Sequence, residues 1–401
     1  MRYWDAVFAF LVAMGVATVL TPLAARLGLR VHAVDMPRER GLAERVTPRL
    51  GGLAILAGVL VAAAIWLPGT IRLDHAAGTP HGSGGVVHTW TLIAGACLIA
   101  AVGAIDDTFD LPPLTKLIGQ IAAAVVVVEG GAVVTDVTIP FLGAFQFPHA
   151  GGALTVIWLV GLMNVVNFSD GVDGLAAGLC AIDGIAFSII AFDLRVGAVG
   201  VLAALTAGAS LGFLFHNFHP ASVFMGDSGA NLLGYLLGVI AVVGSIKTGA
   251  VVALVVPLVI LAVPFLDTGF VVAKRLKYGR KPWSADANHF HHRMARIGFS
   301  QRKTVAYLYG WTLMLAGVAL ALRFVPYHRH GHYCAGWLAV LIAIGLVALA
   351  ASIYLIYILE ILKFRSHRAR VLRGSDPDTS EYEVDAIVQR DIETGEFERV
   401  G

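Results

Sequence analysis

The feature that most constrains this chain is a series of long apolar runs, each able to cross a hydrocarbon layer as a helix of about 20 residues. About eleven such runs are legible, at 5–25, 50–67, 90–105, 114–129, 152–168, 174–192, 197–215, 229–244, 249–272, 304–323 and 335–361. Only 14% of residues are charged and 57% are hydrophobic, against roughly a quarter charged in a soluble domain. A soluble globular fold is excluded. The expected fold is an all-α polytopic membrane protein, with a membrane domain over 1–363 and a charged tail over 364–401. The first run is too long for a signal peptide and leads straight into Arg26, Arg30 and Arg38, so it reads as an anchor. A net charge of +2 gives no reason to expect a nucleic-acid partner. Cys97, Cys180 and Cys334 are too scattered for a disulfide framework and read as inert thiols.

Basic residues crowd the odd-numbered loops and the tail. Only Arg2, Arg72, Arg195, Lys247, Arg323 and Arg329 lie elsewhere. The positive-inside rule therefore puts the N-terminus outside, and the odd loops and the C-terminus in the cytoplasm. On the outer side, 68–89 reads as a flexible Gly-rich loop, although His75, His81 and His88 also allow a metal. Residues 131–149 read as a small exterior hairpin. The tail turns from basic to acidic, and its EVDAIVQRDIETGEFERV stretch suggests another hairpin. No internal repeat is visible.

Polar residues in such a chain are costly and tend to mark function. Asp106, Asp107 and Asp110 open loop three. Asn164, Asn167, Asp170 and Asp173 follow at three-residue steps around loop five, with Gly171 and Gly174 among them. Asn217 and Asp227 flank loop seven, and His289, His291, His292 and Arg293 lie in loop nine. All fall on the expected cytoplasmic side, as one composite site would require. Asp106, Asp107 and Asp110 could converge on one helical face. Like charges about 4 Å apart repel by roughly 4 kcal/mol at an effective dielectric near 20, so the cluster needs a proton, a divalent cation or a base. Lys116 is the local candidate. The oxygen donors suit Mg²⁺, with Mn²⁺ as a substitute. Phe224-Met225-Gly226-Asp227-Ser228-Gly229 meets a helix start, where backbone N–H groups favour phosphate.

Each cluster has a blander reading. Asp227 and Ser228 fit a helix cap, Asp170 and Asp173 a turn, the Asp106 group a solvated loop, and the histidines a surface tract. Asp183, mid-span in the sixth run, is either a functional acid or a group paired within the bundle.

GAIDDTFDLPPLTKLIGQ, NVVNFSDGVDGLAAG, VFMGDSGANLLG and ANHFHHRM, in this order, resemble the polyprenyl-phosphate N-acetylhexosamine-1-phosphate transferases. Asp110 and the His-Phe-His-His tract are similar to the bacterial branch that uses UDP-N-acetylglucosamine, rather than the branch that transfers phospho-N-acetylmuramoyl-pentapeptide. In loop one, DMPRERGLAERVTPRLGG fits the family's Asp-x-Pro start and Pro-Arg-x-Gly-Gly end, with Ala43 where a His is usual.

The resemblance implies that undecaprenyl phosphate attacks UDP-N-acetylglucosamine at the bacterial inner membrane, releasing UMP to begin a glycan such as lipopolysaccharide or teichoic acid. By resemblance, Asp227 and Asn167 hold the metal, and Asp106 accepts the lipid phosphate's proton beside Asp107 and Lys116. Phe224 stacks on uracil, and Asn217, Gly171, Asp170 and Asp173 bind the nucleoside side. His289, His291, His292 and Arg293 contact the phosphates or sugar. Direct attack and an aspartyl-phosphate intermediate both fit, and a homodimer is compatible with the pattern. Pro257 and Pro264 should bend the ninth span into a groove for the polyprenyl chain. The alternatives are the pentapeptide branch, another UDP-N-acetylhexosamine, or a secondary transporter, whose acids should instead lie at the midplane of paired halves.

Overall fold

The computed structural model describes residues 1–36, 46–73, 85–134, 136–139, 143–146, 150–245, 258–259, 261–263, 265–266, 300–326, 328–329, 332–375, 380, 383–384 and 386–387. Two compact units divide the chain: Met1–Thr268 with Leu308–Val325, and Gly269–Tyr307 with Pro326–Gly401.

In the first unit, in chain order, lie α1 (Tyr3–Arg30), β1 (Val34–Asp35), β2 (Thr47–Pro48), α2 (Gly51–Trp66), β3 (Thr70–Leu73), β4 (Gly85–His88), α3 (Thr89–Phe109) and α4 (Pro113–Glu129). There follow β5 (Asp136–Ile139), β6 (Gly143–Gln146), α5 (Gly151–Ser169), α6 (Leu175–Asp193), α7 (Gly197–Asn217) and α8 (Gly226–Ser245). Most of α9 (Gln301–Phe324) also belongs here. Eight helices among the described residues are long and apolar enough to cross a membrane, and α2 is a shorter apolar helix. These helices and α4 begin and end within a few residues of the expected runs, save that α10 below continues well past its run, because nothing in the bundle but hydropathy is needed to mark them. The 249–272 run lies mostly outside the described residues, although Leu258, Val259, Ala262, Val263, Phe265 and Leu266 within it are helical.

Packing follows membrane logic. Lipid offers apolar groups as good a home as a neighbouring helix does, so helices associate where small residues let backbones meet. The stripe Ala6, Ala9, Ala13 and Ala17 of α1 is buried, while Val7, Phe8, Leu11 and Val19 on its other faces are exposed. Gly208 and Gly212 of α7 bring that helix against the Phe10 and Met14 carbonyls. Thr18 Oγ1 donates to the Gly212 carbonyl at 3.0 Å. The central element is α8, packed by α2, α3, α5, α6 and α7. Its apolar window is 89% buried, against 28% for α1.

All sheets among the described residues are two-stranded and antiparallel. The β5–β6 pair is the expected hairpin over 131–149. Residues 68–89, read from sequence as a flexible loop, also hold a ladder, Thr70↔His88 to Leu73↔Gly85. The alternation puts Ile71 opposite Val87, and both are buried. This ladder and the acid-rich loops occupy opposite ends of the bundle. The His88 N–H bonds the Gly130 carbonyl past the end of α4, whereas Lys116 in its first turn reaches the acids.

The second unit contains β7 (His328–Arg329), β8 (His332–Tyr333) and α10 (Ala335–Ser375). The helix runs past 364, where the sequence marks the start of the tail. Farther along, Glu383, Val384, Ala386 and Ile387 are helical, which corrects the tail hairpin at those residues. The cause is a capping box that the alternation reading overlooked: Ser380 N–H donates to Glu383 Oε2 at 2.8 Å, and the Glu383 N–H returns to Ser380 Oγ at 3.3 Å. These bonds hold the Glu383 carboxyl below its ordinary pKa.

Candidate active site

Four helix ends converge on a carboxylate cluster. Asp106 and Asp107 are buried in the last turn of α3. Lys116 Nζ in the first turn of α4 lies 2.5 Å from Asp106 Oδ2 and 2.9 Å from Asp227 Oδ2, so one ammonium joins α3, α4 and α8. The Asp106 and Asp227 carboxyls are also within hydrogen-bonding reach of each other, and Asn167 of α5 bonds the Asp227 side chain. Asp106 Oδ1 additionally accepts the Leu111 N–H at 2.7 Å, which closes the chain after α3.

Asp110 does not join this cluster. It is an exposed C-cap in the left-handed region, at φ 49°. The helix cannot continue through Leu111-Pro112-Pro113, because proline disfavours helical geometry in the residue before it. The expected three-carboxylate face therefore reduces to Asp106 and Asp107.

Asp107 has a role that spacing does not reveal. Its Oδ1 accepts the Asp227 N–H at 2.8 Å and its Oδ2 the Ser228 N–H at 3.1 Å. A carboxylate from α3 thus caps the positive end of α8, so these amides are not open for phosphate as the sequence suggests. The cap needs Gly226, at φ 69°, because a Cβ there would strike the Asp107 carboxylate. Gly103 lets α3 approach the Ser228 backbone closely enough for it.

One turn deeper, at i+4 from Lys116 and from Asp227, lie Gln120 and Asn231, amides that the sequence reading passed over. Gln120 Nε2 donates to Asn231 Oδ1 at 2.8 Å, and Asn164 Nδ2 to Gln120 Oε1 at 2.9 Å. Asn231 Nδ2 completes the line on the Asp227 carbonyl at 2.9 Å. Their signal was available: amide side chains inside otherwise apolar spans.

The nucleoside-side residues form a second layer. Asn217 is buried, its Oδ1 accepting the Gly174 N–H and its Nδ2 donating to the Val223 carbonyl, both at 3.0 Å. Its amide thus ties the Gly174 turn to the loop before α8. Asp173 Oδ2 accepts the Ala221 N–H at 3.1 Å and pairs with His219 Nδ1 at 2.8 Å. Asp170 caps α5, and its pKa is raised well above the carboxylate range by burial and by Asp227, Asp107 and Asp173. Gly171 is exposed and the Phe224 ring half-buried. Tyr309 of α9, also missed from sequence, donates to the Gly174 carbonyl at 2.5 Å. His289, His291, His292 and Arg293 lie outside the described residues. Both carboxyl oxygens of Asp183 are buried without a hydrogen-bond partner among the described residues, which removes the reading of it as a paired group there.

Among the described residues, no three His, Cys, Asp or Glu side chains form a ready-made metal cage. Mg²⁺ does not require one, since it is commonly held by one or two carboxylates, water and substrate phosphates. Asp106 and Asp227 set two carboxyls against the single cation of Lys116, and with the Asn167 side-chain amide they offer hard oxygens. This donor set fits Mg²⁺.

Residues 89–245 match the model of the family described as glycosyl transferase family 4. Over 318 residues, covering 78% of this chain and 84% of the relative, the sequence is 33% identical to a probable undecaprenyl-phosphate N-acetylglucosaminyl 1-phosphate transferase of Bacillus subtilis (strain 168). It is 38% identical over 326 residues, 75% of this chain and 78% of the relative, to a decaprenyl-phosphate N-acetylglucosaminephosphotransferase of Mycolicibacterium smegmatis. A phospho-N-acetylmuramoyl-pentapeptide-transferase of Desulforudis audaxviator is 32% identical over 345 residues, 78% of this chain and 95% of the relative.

Proposed function

Because the chain belongs to the polyprenyl-phosphate N-acetylhexosamine-1-phosphate transferases of glycosyl transferase family 4, we propose that it transfers N-acetylglucosamine-1-phosphate from UDP-N-acetylglucosamine to undecaprenyl phosphate. UMP is released, and the lipid-linked sugar initiates a cell-surface glycan. The observation that carries this reading is Lys116 shared between Asp106 and Asp227 where α3, α4 and α8 meet. An anionic lipid headgroup and a nucleotide diphosphate can meet at such a bundle end while the isoprenoid chain stays in hydrocarbon.

In the reaction, an oxygen of the lipid phosphate forms a bond to the β-phosphorus of the donor. The bond from that phosphorus to the oxygen bridging to the α-phosphate breaks, and UMP departs with the bridging oxygen. Asp106 takes the proton of a monoprotonated lipid phosphate, and Lys116 holds its carboxylate in place. Asp227 and Asn167 are the residues that would hold Mg²⁺, which when bound neutralises diphosphate charge. Asp107 fixes the α8 terminus and so aims Asp227. Phe224 stacks on uracil beside Asp170 and Gly171, while Asn217 and Asp173 act through the loop they tie. His289, His291, His292 and Arg293 contribute phosphate or sugar contacts from loop nine. The charge asymmetry of the loops favours a site on the cytoplasmic side of the inner membrane.

The N-acetylglucosamine donor is favoured by Asp110 and by the relatives named for that sugar at 33% and 38% identity. The test is UMP release by purified protein with lipid phosphate and Mg²⁺, offered UDP-GlcNAc, UDP-GalNAc or UDP-MurNAc-pentapeptide in turn. Turnover with the first alone is expected. Preference for either of the others reassigns the sugar, and uptake into proteoliposomes without UMP release would instead indicate a transporter.

A further inference from the structure

Loop one holds a sequence pattern that this mechanism leaves unused: Asp35 opens it, and Pro48-Arg49-Leu50-Gly51-Gly52 closes it. The fold brings its two ends together. β1 and β2 pair through Val34↔Pro48 and Asp35↔Thr47, and Arg49 Nη2 donates to Asp35 Oδ1 at 3.0 Å. The closing segment is then fastened to the stretch that carries Asp227. The Phe224 N–H donates to the Pro48 carbonyl at 2.8 Å, the Gly51 N–H to the Phe224 carbonyl at 3.1 Å and the Gly52 N–H to the Met225 carbonyl at 3.0 Å. Both glycines are needed for this approach. A Cβ at Gly52 would collide with the Ser228–Gly229 backbone, and one at Gly51 with the Phe224 carbonyl and the Phe213 ring.

Arg49 is therefore held with little slack against the loop that positions Asp227. Its side chain remains 28% exposed, and it is close enough to Asp170 to oppose the rise in that carboxyl's pKa. Among the described residues, the cation at the carboxylate cluster, Lys116, already bonds Asp106 and Asp227. A diphosphate entering among these carboxylates gains from each fixed cation beside it, and a guanidinium that engages Asp35 through one nitrogen keeps other N–H donors for it.

We propose that Arg49, aimed by Asp35, binds the diphosphate of the nucleotide-sugar donor on the Phe224 side of the site. Asp35 is a positioning residue that fixes the guanidinium fork. The inference rests on the reading of this protein as a nucleotide-sugar transferase, and it gives a use to the acid and the base that the two ends of loop one join by their side chains.

The experiment measures UDP-GlcNAc affinity by calorimetry, with Mg²⁺ and without lipid phosphate, for the full chain and for Arg49→Ala, Arg49→Lys and Asp35→Asn. KM for donor and for lipid phosphate is determined in parallel, and thermal melting checks folding. Arg49→Ala is expected to raise donor Kd and KM by at least about ten-fold, as for a lost charge-assisted hydrogen bond, with lipid KM unchanged. Arg49→Lys should recover only part of the affinity, because an ammonium lacks the fork. Asp35→Asn should raise donor KM less than Arg49→Ala does. A purely structural tie would lower the melting temperature equally in Arg49→Ala and Asp35→Asn while leaving donor affinity intact, and that overturns the proposal. If Arg49→Ala does not fold, unchanged donor affinity in Arg49→Lys has the same force. Absence of nucleotide binding by the unaltered chain overturns the functional reading itself, and this inference with it.

Discussion

Replacing Asp107 with Asn tests whether that carboxylate acts by holding α8. Its two oxygens accept the Asp227 and Ser228 amides. Asn keeps one acceptor and presents an NH₂ to the other N–H, so one buried amide loses its partner at about 1–3 kcal/mol. Loss of the anion at the helix N-terminus adds about 0.3–2 kcal/mol. The sum, about 1.3–5 kcal/mol, corresponds to a rise of roughly ten-fold to a few thousand-fold in local opening. Hydrogen exchange of a peptide spanning 224–232 reads that opening directly, because the lost bonds belong to its own amides. Faster exchange there, with 175–193 in α6 unchanged, is expected, together with a lower melting temperature and reduced UMP release. Unchanged exchange in 224–232 alongside abolished turnover would refute the capping argument and place Asp107 among the groups that touch substrate.

Lys116→Met leaves Asp106 and Asp227 without their shared cation, and repulsion of roughly 4 kcal/mol at 4 Å should abolish UMP release while added Mg²⁺ raises the melting temperature more than in wild type; equal Mg²⁺ responses would contradict the charge argument. Gln120→Leu removes the bonds to Asn164 and Asn231, and since interhelical hydrogen bonds in membranes average about 0.6 kcal/mol, a loss of about 1–2 kcal/mol by thermal unfolding is expected, much of it already present in Asn164→Leu if the amides form one line. Tyr309→Phe removes a single bond to the Gly174 carbonyl and should cost about 1 kcal/mol, read as a small drop in melting temperature with turnover nearly retained. In metal-free protein the raised pKa of Asp170 means that the folded state binds more protons, so stability should fall as pH rises above the unfolded value near 4 and level off past the folded one; Asp170→Asn should flatten that slope in a melting series.

The helices and the membership of the carboxylate cluster were legible because each rests on a local signal: a long apolar run, or acids clustering in loops of the same parity. Asp106, Lys116, Asn167 and Asp227 do meet. What sequence could not show is which partner each polar atom takes. Asp107 and Asp106 are neighbours of the same type, yet one caps α8 and the other pairs with Lys116, a distinction made only by how α3 crosses α8 at Gly103. Asp110 turns away because of a backbone stop two residues on. Asn217 spends its amide on Gly174 and Val223, contacts some forty residues and six residues distant, and Arg49 finds Asp35 only once β1 and β2 pair. The Ile71–Val87 ladder was hidden by the Gly-rich stretch between its strands.

In the proposed reaction Asp227, set beside Lys116 and Asn167, holds the metal on which diphosphate cleavage depends. The direct measurement is a Mg²⁺ titration of UMP release from UDP-GlcNAc and undecaprenyl phosphate by the purified chain and by Asp227→Asn. Saturable, Mg²⁺-dependent release is expected from the first and none from the second at any Mg²⁺ concentration. Near-normal, metal-dependent turnover by Asp227→Asn would contradict that role.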